Sequence, residues 1–419
     1  MKRFLLYGFL KNMRFFDAFK VLSWLSKGLS FFQVGILYSV GDIVTTVLEI
    51  PTGLLADVYV GRKNCMIFSL LCYIVSFILF GKSSSYSVLM LAMVLFSVGA
   101  AFLSGTAKSM QFAHLVHVGQ QHRRTELYGA VRSWAKISSA ATAVVSPIIV
   151  IFSNGDYNIV WYASVLPYFL NIINIMTYPK HVDGDEQERE KRKKEPVWSS
   201  FASAFKLMFS KSSIRRLLFE SVCSGTAFGI AKQYIQPLVE TFVLLSVVQH
   251  ISIFENSKNQ VAVFMGIVYC ILNMIGAIAS RLGAYLKKKR SENEAVEMLW
   301  WFCTTVYCII SIVIFVDWTI AGIALYMLLF LHYNSFRPLH LSRFDIFVSS
   351  SLGSTALSIE NQVKASALIV IEPVVGWIVD RTSSFWIVGV LGFVSCVPVV
   401  ISIAKYRSVL EDDEKENSI

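Results

Sequence analysis

Charge is what this chain has least of. Only 16% of its 419 residues are Asp, Glu, Lys or Arg, and 55% are hydrophobic. Soluble domains carry about a quarter charged residues, so the composition excludes an ordinary soluble fold. Cysteine is sparse as well. The seven (Cys65, Cys72, Cys223, Cys270, Cys303, Cys308, Cys396) include no Cys-x-x-Cys, and all fall within apolar runs or at their edges. That argues for buried free thiols, with no disulfide framework and no thiolate metal site. No phosphate-cradling glycine loop, Gly-x-Ser-x-Gly elbow or zinc motif occurs, so ATP-driven pumping and hydrolysis have no motif behind them. His114, His117 and His122 cluster without a neighbouring cysteine or carboxylate to complete a ligand set. Neither an enzyme, a cofactor nor a metal centre is expected. A cleavable leader would need a clean apolar core and a small-residue cleavage site. The first apolar run instead carries Lys11, Arg14, Asp17 and Lys20.

What is present is a succession of apolar runs, each long enough for a ~30 Å hydrocarbon core. Twelve are expected, near 4–26, 32–54, 64–81, 86–109, 128–151, 158–178, 214–237, 260–282, 295–316, 318–338, 351–378 and 384–404. The net charge is +10, and its distribution rules out nucleic acid as the reason for it. With the amino terminus inside, only Lys27, Lys82, Lys258 and Arg381 of the 38 Lys and Arg fall in outer loops. Such asymmetry is the positive-inside rule, which puts both termini in the cytoplasm. The nine tryptophans lie mostly near run ends. Trp24, Trp161, Trp318, Trp377 and Trp386 read as outer interface anchors.

Six runs are followed by a dense mixed-charge stretch over 181–196, and then by six more. That stretch has no apolar face to bury and reads as a solvated inner linker. Trp198 to Ser210 is amphipathic and suits the inner membrane surface. The expected division is an amino-terminal six-helix bundle (1–180), a cytoplasmic linker (181–212), a carboxy-terminal six-helix bundle (213–404) and a cytoplasmic tail (405–419). Ser133-Trp-Ala-Lys ahead of Pro147 is echoed by Ser358-Ile-Glu-Asn-Gln-Val-Lys ahead of Pro373. Such echoes favour two halves related by duplication.

The chain is organised around Glu49-Ile-Pro-Thr-Gly53-Leu-Leu-Ala-Asp57-Val-Tyr-Val-Gly61-Arg62-Lys63, where one apolar run turns sharply into the next. Gly53 at the end of a membrane helix would let a neighbour pack closely. The stretch resembles the loop between helices 2 and 3 of the major facilitator superfamily, Gly-x-x-x-Asp-x-x-Gly-Arg-Lys, with one residue, Val60, added before the second glycine. The resemblance implies an all-α membrane protein of twelve transmembrane helices in two pseudo-symmetric six-helix bundles, working by alternating access. It also implies a gating role for Gly53, Asp57, Gly61, Arg62 and Lys63. Asp57 would hold the inward side shut against the start of helix 11 near Gly353-Ser354-Thr355.

Charges inside the runs cost ~2.5–3.5 kcal/mol each at a helix centre, so they should pair or face water. They gather in helices 1, 4, 5, 7 and 11 and nearly avoid 3, 6, 9 and 12, matching the resembled family's division between helices lining the route and helices facing lipid. The candidate substrate-binding residues are Lys11, Arg14, Asp17, Lys108, Lys136, Lys232, Gln236 and Lys364. Arg14 and Asp17, three apart, suit an intrahelical pair that leaves Lys11 to a substrate. Proton coupling needs a titratable group, and Asp17, Glu49, Glu220, Glu360, Glu372 and His332 qualify by type. The structural alternative for each is an ion pair that only holds helices together.

The reading is a secondary transporter of a small solute, anionic or polar because basic residues outnumber acidic ones within the runs, with proton coupling open. Multidrug efflux is the rival within transport. A non-transporting membrane sensor that docks partners through 181–196 is the rival of another class. Lipid, a solute and, if coupled, protons are the partners, without nucleic acid. The chain is expected to act as a monomer in a bacterial cytoplasmic membrane.

Overall fold

The computed structural model describes residues 1–183, 205–206, 208–245, 256–289, 291–347 and 353–405, and these are helical almost throughout. Most of the 181–196 linker, most of the 198–210 stretch and the tail lie outside the described residues. In chain order the helices are α1 (Lys2–Lys11), α2 (Lys20–Leu25), α3 (Phe31–Leu54), α4 (Arg62–Lys82), α5 (Tyr86–Leu103), α6 (Thr106–His117), α7 (Arg124–Phe152) and α8 (Ile159–Met176). After the linker come α9 (Ser212–Leu245), α10 (Ser257–Lys289), α11 (Glu292–Phe315), α12 (Thr319–Phe347), α13 (Gly353–Thr382) and α14 (Trp386–Lys405). Among the described residues ten spans are long and apolar enough to cross a membrane. Two of the twelve expected runs fall short. The first is broken, and α9 is diluted by Glu220, Ser221, Ser224, Thr226, Lys232 and Gln233.

The chain divides into two compact units, Met1–Pro196 with Val248–Cys270, and Val197–Val247 with Ile271–Ile419. In the first unit a ladder of aromatic rings forms the core. Trp161 stacks on Phe16 at 4.5 Å and on Phe80 at 4.6 Å, and Tyr168 meets Phe77 edge-on at 4.9 Å. Between membrane helices the attraction comes from such packing, because lipid tails are as apolar as the side chains. Trp24 and Trp161, expected at the interface, are fully buried, and the Trp161 indole N–H donates to Ser23 Oγ at 2.9 Å. Trp318 and Trp377 are exposed. Run-end position alone does not separate an anchor from a core residue.

In the second unit Met208, Ile214, Leu217 and Leu218 pack with Phe344, Ala356 and Ile359, joining the start of α9 to the end of α12 and the start of α13. Gly392 of α14 lies so close to α11 that a Cβ there would overlap the Tyr307 ring. Glycine permits this approach because it presents no side chain to the contact.

Two expected helices are interrupted. The run 4–26 is α1, a 3-10 turn (Phe15–Ala18) and α2, while 86–109 is divided between α5 and α6 by Ser104 and Gly105, the latter at φ 75°. Neither break contains proline, and Gly105 is the local sign of the second. Side chains take up the freed backbone groups. Tyr168 Oη donates to the Lys11 carbonyl at 3.0 Å, Ser164 Oγ accepts from the Phe15 N–H at 3.1 Å, and Thr52 Oγ1 donates to the Ala101 carbonyl at 3.1 Å. Irregular backbone at membrane depth is tolerated where protein satisfies it in this way.

The corner after α3 is a further departure. Leu55–Tyr59 winds as one π-helical turn, closed by the Val60 N–H on the Leu55 carbonyl at 2.9 Å. A π turn holds one more residue than an α turn, which accommodates Val60. Gly61 then turns the chain at φ 91°, a conformation that favours glycine. The expected close approach at Gly53 is not found. Among the described residues, no atom lies within 4 Å of where its Cβ would stand, and Thr52 makes the contact instead.

Candidate functional site

In the first unit the break after Lys11 leaves that lysine within electrostatic reach of two further cations. Asn12 Nδ2 donates back to the Gly8 carbonyl at 2.8 Å and closes α1. Arg14 then leaves helical geometry (φ −103°, ψ 85°), and its Nε donates to Tyr168 Oη at 3.3 Å. The same hydroxyl therefore holds both the end of α1 and the guanidinium beyond it. Tyr7 and Tyr73 complete a buried set of phenols in electrostatic reach of Arg14. Lys11 lies in electrostatic reach of both Arg14 and Lys108. Lys108, on α6 just past the Gly105 break, sits over the Tyr128 ring at 5.2 Å. Arg14 and Asp17 remain in electrostatic reach, but the helix break means they are not the intrahelical pair that their spacing suggests. Asp17 is exposed, and its carbonyl accepts from Tyr269 Oη of the same unit at 3.2 Å.

Glu49 has structural work: its Oε1 accepts from Ser104 Oγ at 2.8 Å, one helical turn from the Thr52 contact with Ala101. Together they clamp the α5–α6 break to α3. Lys136 lies exposed on α7.

The gating residues are placed in part. The Asp57 side chain and those of residues 353–355 lie outside what the structure describes. Arg62 is buried. The Lys63 N–H donates to Asp183 Oδ1 at 2.7 Å, and its Nζ donates to the Met176 and Tyr178 carbonyls at 2.7 and 3.1 Å. Lys63 thus starts α4 on a carboxylate and caps the end of α8 with an ammonium, both favoured by helix-end partial charges.

The second unit holds two buried ion clusters. Glu360 on α13 pairs with Arg337 on α12 through both carboxylate oxygens, the Arg337 Nη2–Oε2 leg being 3.1 Å. It also accepts from Ser221 Oγ and from Lys364 Nζ, the latter at 3.3 Å, with His340 Nε2 at 3.8 Å. Glu220 on α9 pairs with Arg343 Nη1 at 2.8 Å and with Arg216 Nε at 3.5 Å. With histidine neutral, each cluster sets one carboxylate against two cations among the described residues. Lys364 crosses Gly225 of α9, where a Cβ would stand 2.7 Å from its Cδ. Gln233 Nε2 donates to Glu372 Oε1 at 2.6 Å, and Phe228 stacks on Tyr333 at 4.0 Å. His332 is buried against Trp300 and Phe336. Lys232 is exposed and Gln236 buried.

Sequence reading missed Arg337, His340 and Arg343. They recur every three residues on α12, whose 29 residues reach roughly 43 Å at 1.5 Å per residue and continue past the expected end at 338. The signal was that spacing opposite Glu220 and Glu360, but Arg343 was counted to a loop. Tyr7, Tyr73 and Tyr168 were missed because a phenol within an apolar run carries no charge to mark it.

The family model for the Major Facilitator Superfamily matches residues 8–369. No curated protein matches in sequence. Among solved structures, the nucleoside transporter NupG superposes with a TM-score of 0.72 at 14% identity, covering 98% of this chain and 99% of that one. A POT family transporter in complex with a thioalcohol-conjugated peptide gives 0.70 at 12% identity, covering 97% and 96%. The peptide transporter POT in complex with sulfate gives 0.68 at 14% identity, covering 96% and 94%. At these identities the likeness establishes the fold. The multi-pass helices and the matched family model together place this chain in the Major Facilitator Superfamily, as an integral membrane secondary transporter of a small solute.

Proposed function

We propose that the solute is a small anionic or polar molecule and that Lys11, Arg14 and Lys108 meet its negative charge. The observation that carries this is their gathering at two helix breaks in the first unit, with Lys11 in no ion pair among the described residues. Like charges held together in low dielectric repel, and a bound anion relieves them. Asp17, Lys136, Lys232, Gln236 and Lys364 complete the set of substrate contacts. Glu360 is the preferred proton-coupling group among Asp17, Glu49, Glu220, Glu360, Glu372 and His332, because its protonation would release Arg337 and Lys364 together. Glu49 is better explained as the clamp on Ser104. The wider reading is alternating access by twelve spans in two six-helix bundles, with both termini in the cytoplasm of a bacterium. It includes a monomer without enzymatic activity or nucleic-acid partner, gated at Gly53, Asp57, Gly61, Arg62 and Lys63.

The test is flux in reconstituted vesicles across a panel of anionic, zwitterionic, neutral and cationic metabolites. The expected result is uptake or exchange of an anionic or polar member, reduced ~10-fold or more by Lys11→Ala through the lost charge-assisted bond. Saturable flux confined to cationic drugs would overturn the reading in favour of multidrug efflux. Asp57→Asn is expected to abolish flux while leaving membrane insertion intact.

A further inference from the structure

A charged cavity lies wholly within the first unit, one turn beyond Asp17. It has a volume of about 280 Å³ and is bounded by α2, α3, α4, α5 and α8. At ~30 Å³ per water-sized group it has room for roughly nine such groups. Its walls are aromatic, with Trp24, Tyr38, Phe96 and Trp161 among them, and two of its lining residues carry opposite charges. The Lys20 ammonium stands over the Tyr38 ring at 4.6 Å and over Trp24 at 5.8 Å. Asp42 on α3 is in electrostatic reach of Lys20. Trp24 is fully buried, and its indole N–H has no partner among the described residues. A buried donor without an acceptor is unfavourable. Gly41 keeps α3 against α5: a Cβ there would stand 3.0 Å from Met93 Sδ and from Ser97 Oγ, both in the pocket lining.

We propose that this pocket binds a small zwitterion with an apolar body, its ammonium toward Asp42, its carboxylate toward Lys20 and its body on the aromatic walls. A cation-only ligand would leave Lys20 facing a second positive charge, and an anion-only ligand would set its charge against Asp42. A zwitterion matches both, each end meeting a charge of opposite sign. The aromatic faces favour the ammonium end and cover the apolar part. The proposal does not rest on the transported solute being an anion, because binding here is measured with no gradient.

The experiment titrates the purified full chain with L-phenylalanine, phenethylamine and 3-phenylpropanoate, following intrinsic tryptophan fluorescence, since Trp24 and Trp161 line the pocket. Phenylalanine is expected to saturate the signal, with each singly charged analogue ~10-fold weaker or more. Asp42→Asn is expected to remove the preference for phenylalanine over 3-phenylpropanoate, and Lys20→Gln the preference over phenethylamine. Lys82→Gln, outside the lining, is expected to change neither. Equal binding of all three compounds, no saturable response to phenylalanine, or preferences that survive in both pocket variants would overturn the proposal. The three-compound comparison on the unaltered chain decides even if a variant fails to fold.

Discussion

Tyr168 answers to two partners at once, donating to the Lys11 carbonyl and accepting from Arg14. Tyr168→Phe keeps the ring packed on Phe77 and removes only the hydroxyl. It is expected to cost ~1–2 kcal/mol, read as a lower melting temperature of purified protein, because a buried carbonyl loses its donor. Arg337 and Glu360 allow a sharper test. Glu360→Gln leaves both Arg337 and Lys364 without their carboxylate, at a cost of ~3–5 kcal/mol, whereas Arg337→Met leaves Glu360 still paired with Lys364. Glu360→Gln should therefore lower the melting temperature more than Arg337→Met, and equal losses would mean that the carboxylate does not hold the two cations together. At this scale the sequence was legible at Lys11 and Glu360, where a charge interrupts an apolar run, but not at Arg337, whose partners lie on other helices. It was not legible for phenols, or for Arg343, whose helix outran its apolar stretch.

Among the elements, the α3–α4 corner shows how local winding absorbs a change of length. If the π turn exists to house Val60, deleting Val60 should restore an α turn and leave melting temperature and expression close to the parent's. A collapse of expression on that deletion would refute the account. Gly61→Ala, by contrast, must hold a side chain at φ 91° and is expected to cost at least ~1–2 kcal/mol. The loop between α2 and α3 offers a pH test. Lys27 Nζ caps the end of α4, donating to the Phe80 carbonyl and, at 2.8 Å, to that of Ser83. Burial pulls its ammonium down to about 8 against the opposing pull of Asp156. The unfolded chain, with an ordinary lysine near ~10.4, then binds more protons than the folded chain between these values. Lys27 should therefore make stability rise with pH from about 8 toward 10.4, and Lys27→Met should flatten that part of the melting-temperature profile. Sequence periodicity located the elements, but not the breaks at 12–19 and 104–105. Those depend on Tyr168 and Thr52 arriving from other helices to donate to freed carbonyls and on Ser164 arriving to accept from a freed N–H.

For the whole molecule, the placement of Lys and Arg predicts both termini on the cytoplasmic side. Single cysteines placed in the 181–196 linker of a cysteine-free variant should react with an impermeant maleimide only in inside-out vesicles. Labelling in right-side-out vesicles would invert the topology. Hydropathy by itself determined that this is an all-helical, many-span membrane protein, because the hydrocarbon core demands long apolar stretches and obliges the backbone to satisfy itself. The Glu49–Lys63 stretch pointed to the family through residue types, even with one residue added. Only the tertiary structure decided which charges meet. Lys11 joins Arg14 and Lys108 across two broken helices, and Arg337 and Arg343 find Glu360 and Glu220 from a third, because pairing depends on the rotation and breakage of helices far apart in sequence, which no single run encodes.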